Sequence, residues 1–561
     1  MAKLLSRVWI ATAVLLLLLA TSDIIPRRSA RITDLFFRYQ DLPILIAITI
    51  AAAALLILAS SGPRTAARLG RIISNVPTAW VAKVARPAIP TALAVFTAAI
   101  AYAGSKLVFD NYPLSMDEFL ATFDATILGR GQTMAPIAQQ WRAYAPALQP
   151  MFMLPMPGHA FWVSGYLPVN AILRALAGKV GAAALLNPAL AALSVVSVFG
   201  IGRRLWPDKF ELALVAATLL ATSSQFMVTA MTPYSMTAHL ALNLVWLWLF
   251  LRGDRLGHTG AILVAFLACG LHQLIFHPLF AAPFVFQLWL ERRWVTATLY
   301  TAAYGLICLF WSLYWPFALA LAGAAPAAGS HLGIQWLASR AADLVVAFDP
   351  AKISILAKNL IRFITWQNPL SVPLAIVSLV GAVRAKETLR SLALGLILTT
   401  LAMFVLLPYQ GHGWGYRYLH GILGSVCLLA AFAWGGFTDA LDGPEKAAAR
   451  TAFVVVAVIS FGVLAPIRAL QAHRFAQPYA AAEIAIRHAN TQIVLVVDSG
   501  IWFGEDLVRN DPYLGNRPLV LNYASLDEAR LRYLRSRYSV SLFDRADARR
   551  VGIRTFDAPE E

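Results

Sequence analysis

The sequence predicts a polytopic α-helical membrane protein followed by a small α/β domain. Three observations carry that expectation. The 561-residue chain is 59% hydrophobic and only 13% charged. Apolar runs near the length a helix needs to cross a bilayer recur over most of it. After residue 471 the pattern changes to short apolar strands and an amphipathic helix.

Taken in order, spans are expected near 8–22, 42–60, 89–109, 182–200, 209–230, 234–251, 259–275, 278–291, 296–320, 370–383, 390–407, 419–437 and 451–470. Short runs can be tilted or re-entrant, so the expectation is about 11 to 13 membrane helices. Residues 1–88 then form N-terminal transmembrane segments with a basic loop, 89–470 a transmembrane core, and 471–561 a soluble domain. The start, "MAKLLSRVWIATAVLLLLLATS", also has the charged head and small-residue end of a signal peptide.

Loop charge sets the expected orientation. With "MAKLLSR" in the cytoplasm, the loops "GPRTAARLGRIISNVPTAWVAKVARP", "GRRLWPDK", "RGDRLGH", "ERRW", "RAKETLR" and "GPEKAAAR" fall on the same side, and each carries Lys or Arg. One basic loop, "PRRSARITDLFFR" at 26–38, falls outside. The net charge of +17 then reflects membrane orientation and lipid headgroups, and no nucleic-acid partner is expected. The expected location is a bacterial inner (plasma) membrane, with the N-terminus cytoplasmic and the C-terminal domain periplasmic. Segments 110–181, 321–369 and 409–421 and the tail face the exterior.

In the tail, "TQIVLVVDSG" and "RPLVLNY" read as strands and "SLDEARLRYLRSRY" as a helix with its acidic residues first. No Gly-rich loop follows "VVDSG", so it reads as a structural strand rather than a nucleotide site. Cys269, Cys308 and Cys427 all sit in apolar runs, as packing residues rather than a disulfide frame or metal cluster.

Three stretches carry chemistry. In "SMDEFLATFDATILGRG", Asp117 and Asp124 are seven apart and share a helix face, which would look into a cavity. Glu118 lies about 100° around the helix. Ser115 and Glu118 have capping-box spacing. Asp117 reads either as a first-turn acid favoured by the helix dipole or as a catalytic carboxylate. The aromatic, Pro-rich segment that follows reads as an interfacial helix suited to a lipid-linked substrate, or as an aromatic belt.

"LHQLIFHPLF" (271–280) puts His272 and His277 at an exterior membrane edge. Their spacing does not share a helix face, so loop histidines are expected rather than a metal pair. In "LLPYQGHGWGYRYLHGILG" (406–424), glycines 411, 413, 415 and 421 allow close backbone approach. His412, Arg417 and His420 stand there among Trp414, Tyr416 and Tyr418. A guanidinium among donors and rings suits a phosphate, although an arginine snorkelling to the interface gives the same pattern. The candidate phosphate-binding residues are Arg417, His412, Tyr416 and His272; the candidate catalytic residues are Asp117 and Glu118.

An acidic residue in the first exterior loop, an interfacial helix after it and a late "GYRYL" loop resemble the GT-C membrane glycosyltransferases. The likeness, over roughly 85–440, is to bacterial relatives of glycosyltransferase family 39, the group of protein mannosyltransferases and lipid A aminoarabinose transferases. It implies a GT-C-like bundle and an inverting transfer of a sugar from a polyprenyl-phosphate donor to a glycan, lipid or protein acceptor. It maps the first-loop aspartate onto Asp117 and the late arginine onto Arg417. No cofactor is required, and a divalent cation is compatible with the residues but not demanded by them. A polysaccharide polymerase or ligase would also use Arg417. A transporter or flippase predicts mid-span charges and two similar halves, and the sequence has few of the former and no evident repeat.

Overall fold

The computed structural model describes residues 2–22, 32–60, 88–149, 151–323, 351–385 and 387–556. The basic loop at 62–87 and most of the expected exterior loop at 321–369 lie outside the described residues.

Among the described residues, eight helices are long and apolar enough to cross a membrane, including Ala88–Leu107, Ala183–Leu205 and Trp294–Leu321. The expected span at 209–230 is broken: Phe210–Ala221 and Ser224–Ala230 meet at 59°. Ser223 makes the break by capping the second piece, accepting from the Phe226 N–H at 3.1 Å. Four shorter apolar helices, Met236–Phe250, Arg255–Cys269, Phe276–Leu290 and Ser371–Arg384, complete the bundle. Every span expected from the apolar runs thus has a helix or broken helix among the described residues.

The tail builds the expected sheet and adds a strand. β1 (Ala135–Pro136) and β2 (Phe161–Trp162) pair in the segment between the helices Ala88–Leu107 and Ala183–Leu205, while β3 (Ile493–Val496), β4 (Leu519–Asn522) and β5 (Val540–Phe543) form a parallel sheet in the order β4-β3-β5. Parallel strands need cover on both faces, and period-two alternation supplies it. Ile493, Leu495, Leu519 and Leu521 share a core with Met116, Leu120, Phe123 and Ile127. Val494, Val496 and Val520 pack on the other side with Tyr112, Leu114, Trp414 and Ala476. The tail, read as a soluble domain from 471, shares its core with the segment that carries Asp117, and the helix Ala465–Arg487 runs continuously across position 471.

Polar bonds tie the same surfaces. Arg509 Nη2 donates to the Leu114 carbonyl at 2.7 Å, Asn510 Nδ2 to Leu148 at 2.8 Å and Trp162 Nε1 to Pro512 at 2.8 Å. The first of these anchors the chain just before Ser115, where the helix carrying Asp117 begins.

Candidate active site

The helix Met116–Gly129 starts at an extended Ser115, whose hydroxyl accepts from the Glu118 N–H at 3.2 Å. Glu118 Oε2 accepts from the Ser115 N–H at 2.7 Å, closing the expected capping box. That bond turns the adjacent carboxylates apart. Glu118 is fully buried, and burial raises its proton affinity against the Ser115 backbone bond.

Asp117 points the other way. One carboxylate oxygen accepts from Tyr166 Oη and the other from Arg417 Nη1. Burial pushes its pKa up, but the Arg417 charge, His272 and the Tyr166 and Arg417 hydrogen bonds outweigh it and hold the carboxyl below its usual value. The Asp117 and Arg417 side chains are 12% and 14% exposed, so the pair is nearly dry yet reachable.

Two backbone bonds assemble the other side. Leu167 N–H donates to the His272 carbonyl at 3.0 Å and Val169 N–H to Gly270 at 2.9 Å. This brings the Tyr166 and His272 rings into a stack with centroids 4.0 Å apart. His272 Nε2 then lies 4.0 Å from Asp117 Oδ1. Burial drives the His272 pKa down to about 4, with Asp117 opposing, so the ring is neutral at pH 7. Its two nitrogens have no hydrogen-bond partner among the described residues.

Arg417 is framed by tyrosines. Nη1 reaches Tyr234 Oη at 3.4 Å and Nη2 reaches Tyr418 Oη at 3.3 Å. Its Nε is buried without a partner among the described residues, a donor in hand for a further acceptor. Gly415 permits this loop: its φ of 64° is left-handed, and a Cβ there would come within 2.3 Å of Gln225 Oε1. Gln225 Nε2 in turn donates to the Tyr416 carbonyl at 2.9 Å.

Asp117, Arg417 and His272 are thus brought together. Glu118, His412 and Tyr416 stand apart from them. His412 turns toward the tail, 2.8 Å from Asp506 and edge-on to Phe503. The buried Tyr416 hydroxyl has no partner among the described residues, and its ring lies 6.1 Å from that of Tyr418. Asp124 does not join Asp117 in a cavity. Its carboxylate accepts from the Ser164 N–H at 3.1 Å and from the Ser164 hydroxyl, and burial raises its pKa to about 6 against those bonds. Ser164 Oγ accepts from the Tyr166 N–H at 3.3 Å, so Asp124 orients the turn that delivers Tyr166.

Tyr166 and Tyr234 were not singled out from the sequence. The available signal was a tyrosine within two residues of a proline at the end of an apolar run, in "SGYLP" and "TPYSM". Three cavities of 430 to 570 Å³ open elsewhere, none lined by Asp117 or Arg417. No group of three or more His, Cys, Asp or Glu suited to a metal ion occurs among the described residues.

No family model matches the chain, and no curated protein matches it. Among solved structures it is similar to ArnT from Cupriavidus metallidurans, determined bound to undecaprenyl phosphate and in the apo state. Identity is 14%, over 76% of this chain and 85% of that one, with TM-scores of 0.47 and 0.46. It is also similar to the arabinofuranosyltransferase AftD from Mycobacteria, with 16% identity over 75% of this chain and 31% of that one and a TM-score of 0.31.

Proposed function

We propose that this protein is a membrane glycosyltransferase, moving a sugar from a polyprenyl-phosphate carrier to an acceptor hydroxyl at the exterior, periplasmic membrane surface with inversion. The observation that carries the reading is the nearly dry Asp117–Arg417 ion pair. It supplies one acid–base group and one phosphate-binding group within a single contact.

The acceptor hydroxyl attacks the anomeric carbon while the carbon–oxygen bond to the lipid phosphate breaks. The hydroxyl proton passes to Asp117, and the electron pair leaves on the phosphate oxygen, whose charge Arg417 stabilises. In the resting pair the guanidinium depresses the basicity of Asp117. A donor phosphate competes for Arg417, so its arrival returns proton affinity to the carboxylate as the acceptor needs it. Tyr166 holds one carboxylate oxygen throughout, and Tyr234 and Tyr418 hold the guanidinium. His272, neutral, offers a single donor beside them. Glu118 has its structural role at the helix start, and no step calls on a metal ion.

Purified protein incubated with a polyprenyl-phosphate sugar and a hydroxyl acceptor tests the reading. Transfer that disappears in Asp117→Asn while donor binding persists supports it. Undiminished transfer in that variant overturns it.

A further inference from the structure

A second charged cluster, buried inside the bundle, also touches the glycine loop. Asp41 is 1% exposed and meets two guanidiniums: Arg362 Nη1 at 3.0 Å from Oδ2 and Arg468 Nη1 at 3.2 Å from Oδ1. Asp41 ends a short π-helix, Phe37–Asp41, a distortion frequent at functional sites. Trp366 Nε1 also donates to Asp41 Oδ1 at 3.0 Å.

Two cations on one anion are more charge than pairing requires, and an extra buried cation is costly unless it has hydrogen-bond acceptors to satisfy it. The two arginines spend their remaining donors differently. Arg468 bonds the Gln40 and Thr365 carbonyls, both within the bundle, at 3.0 Å each. Arg362 reaches into the glycine loop: Nη2 donates to the Gly413 carbonyl at 2.6 Å and Nε to the Gly415 carbonyl at 3.1 Å. Gln410 Nε2 shares that Gly415 carbonyl at 3.2 Å, and Gln410 Oε1 accepts the Arg417 N–H at 3.0 Å. A continuous set of bonds therefore runs from Asp41 through Arg362, Gly415 and Gln410 to the backbone of Arg417.

We infer that Arg362 is a positioning residue for Arg417, setting the glycine loop from inside the bundle, while Arg468 by itself suffices to neutralise Asp41. The assignment rests on the role given to Arg417 above. The planar fork of Arg362 bonds Asp41 and two loop carbonyls at once, which the single nitrogen of a lysine cannot do. Loosening the loop leaves the Arg417 charge in place but lets it drift, and misplacement by about 1 Å costs on the order of 10²-fold in rate.

The test compares Arg362→Met and Arg468→Met in the full-length purified protein. Each removes one guanidinium and leaves Asp41 with one cationic partner and the Trp366 bond, so both are expected to accumulate and melt alike. Only Arg362→Met is expected to speed hydrogen exchange in the peptide 409–418 and to lower turnover about 10- to 100-fold, with donor affinity changed less than kcat. Arg362→Lys should retain the charge without restoring turnover. Equal effects of the two Met variants on exchange and turnover, or failure of both to accumulate, would overturn the assignment. Should the wild-type protein transfer no sugar, the exchange comparison still decides the role of Arg362, and only the glycosyltransferase reading falls.

Discussion

Asp117 and Arg417 stand 300 positions apart in the chain and share one ion pair. The Asp117 partner is set by helix capping, since Glu118 is bound back to Ser115 and its neighbour must face the other way. The Arg417 partner is set by a glycine loop whose carbonyls at Gly413, Gly415 and Tyr416 are each held by a buried side chain. Neither residue is placed by its own local sequence alone.

Asp117→Asn should lower turnover by about 10²–10⁴-fold, the usual contribution of a general base. Amide and carboxylate have nearly the same shape, so expression and donor-lipid binding should persist. Glu118→Gln keeps an acceptor for the Ser115 N–H and should stay within a few fold of wild type. Turnover assays on the two purified variants decide which carboxylate works, and a deeper loss in Glu118→Gln would reverse the assignment.

Arg417→Ala should weaken donor binding by about 1.5–3 kcal/mol, the worth of a hydrogen bond to a charged group. It also leaves Asp117 buried without its cation, so the carboxyl should titrate higher than in wild type. A lipid-phosphate binding isotherm measures the first effect. Loss of the protein from the membrane would instead make Arg417 structural.

Tyr166→Phe deletes the hydroxyl bonded to Asp117 and leaves the ring that stacks on His272. The expected result is a drop in kcat of about tenfold or more, the scale of one charge-assisted bond, with donor affinity unchanged. Steady-state kinetics with donor and acceptor varied separately would show it.

Asp124 supplies a pH test. Its native pKa, raised to about 6 by burial, exceeds the 3.8 of a free carboxyl. The folded chain therefore holds this proton more tightly than the unfolded one, and stability falls as pH rises from about 4 to about 6. The cost of the ionised form above that window is about 3 kcal/mol. Asp124→Asn retains groups that can pair with the Ser164 N–H and hydroxyl and removes the charge. It should melt above wild type at pH 7.5, with the gap narrowing toward pH 5. A variant that melts lower at pH 7.5 would show that the carboxylate itself is required.

The tail should be reached by protease added to intact spheroplasts, because it packs against the segment that carries Asp117, which loop charge assigns to the exterior. A C-terminal tag protected until the membrane is lysed would invert the proposed topology.

Composition and apolar run length by themselves determined that this chain is a helical bundle, because a membrane-spanning helix must satisfy its own backbone within one segment of fixed length. Local patterns also set the capping box at Ser115 and Glu118, the strands at 493–496 and 519–522 and the amphipathic helix between Glu528 and Arg537, since each depends on neighbours a few residues away. Asp117 and Arg417 stood out as charged groups beside apolar runs. What they meet, however, is a matter of tertiary structure. Tyr166 enters the site only because its loop zips onto Gly270 and His272, and Asp124 leaves it only because Ser164 stands opposite. His412 was drawn toward the tail by Asp506, 94 positions away. Arg362 and Arg468, unremarked in the sequence, meet Asp41 from more than 300 residues off. Periodicity assigns a side chain to a face, but the partner on that face comes from packing between distant segments, and no local spacing encodes it.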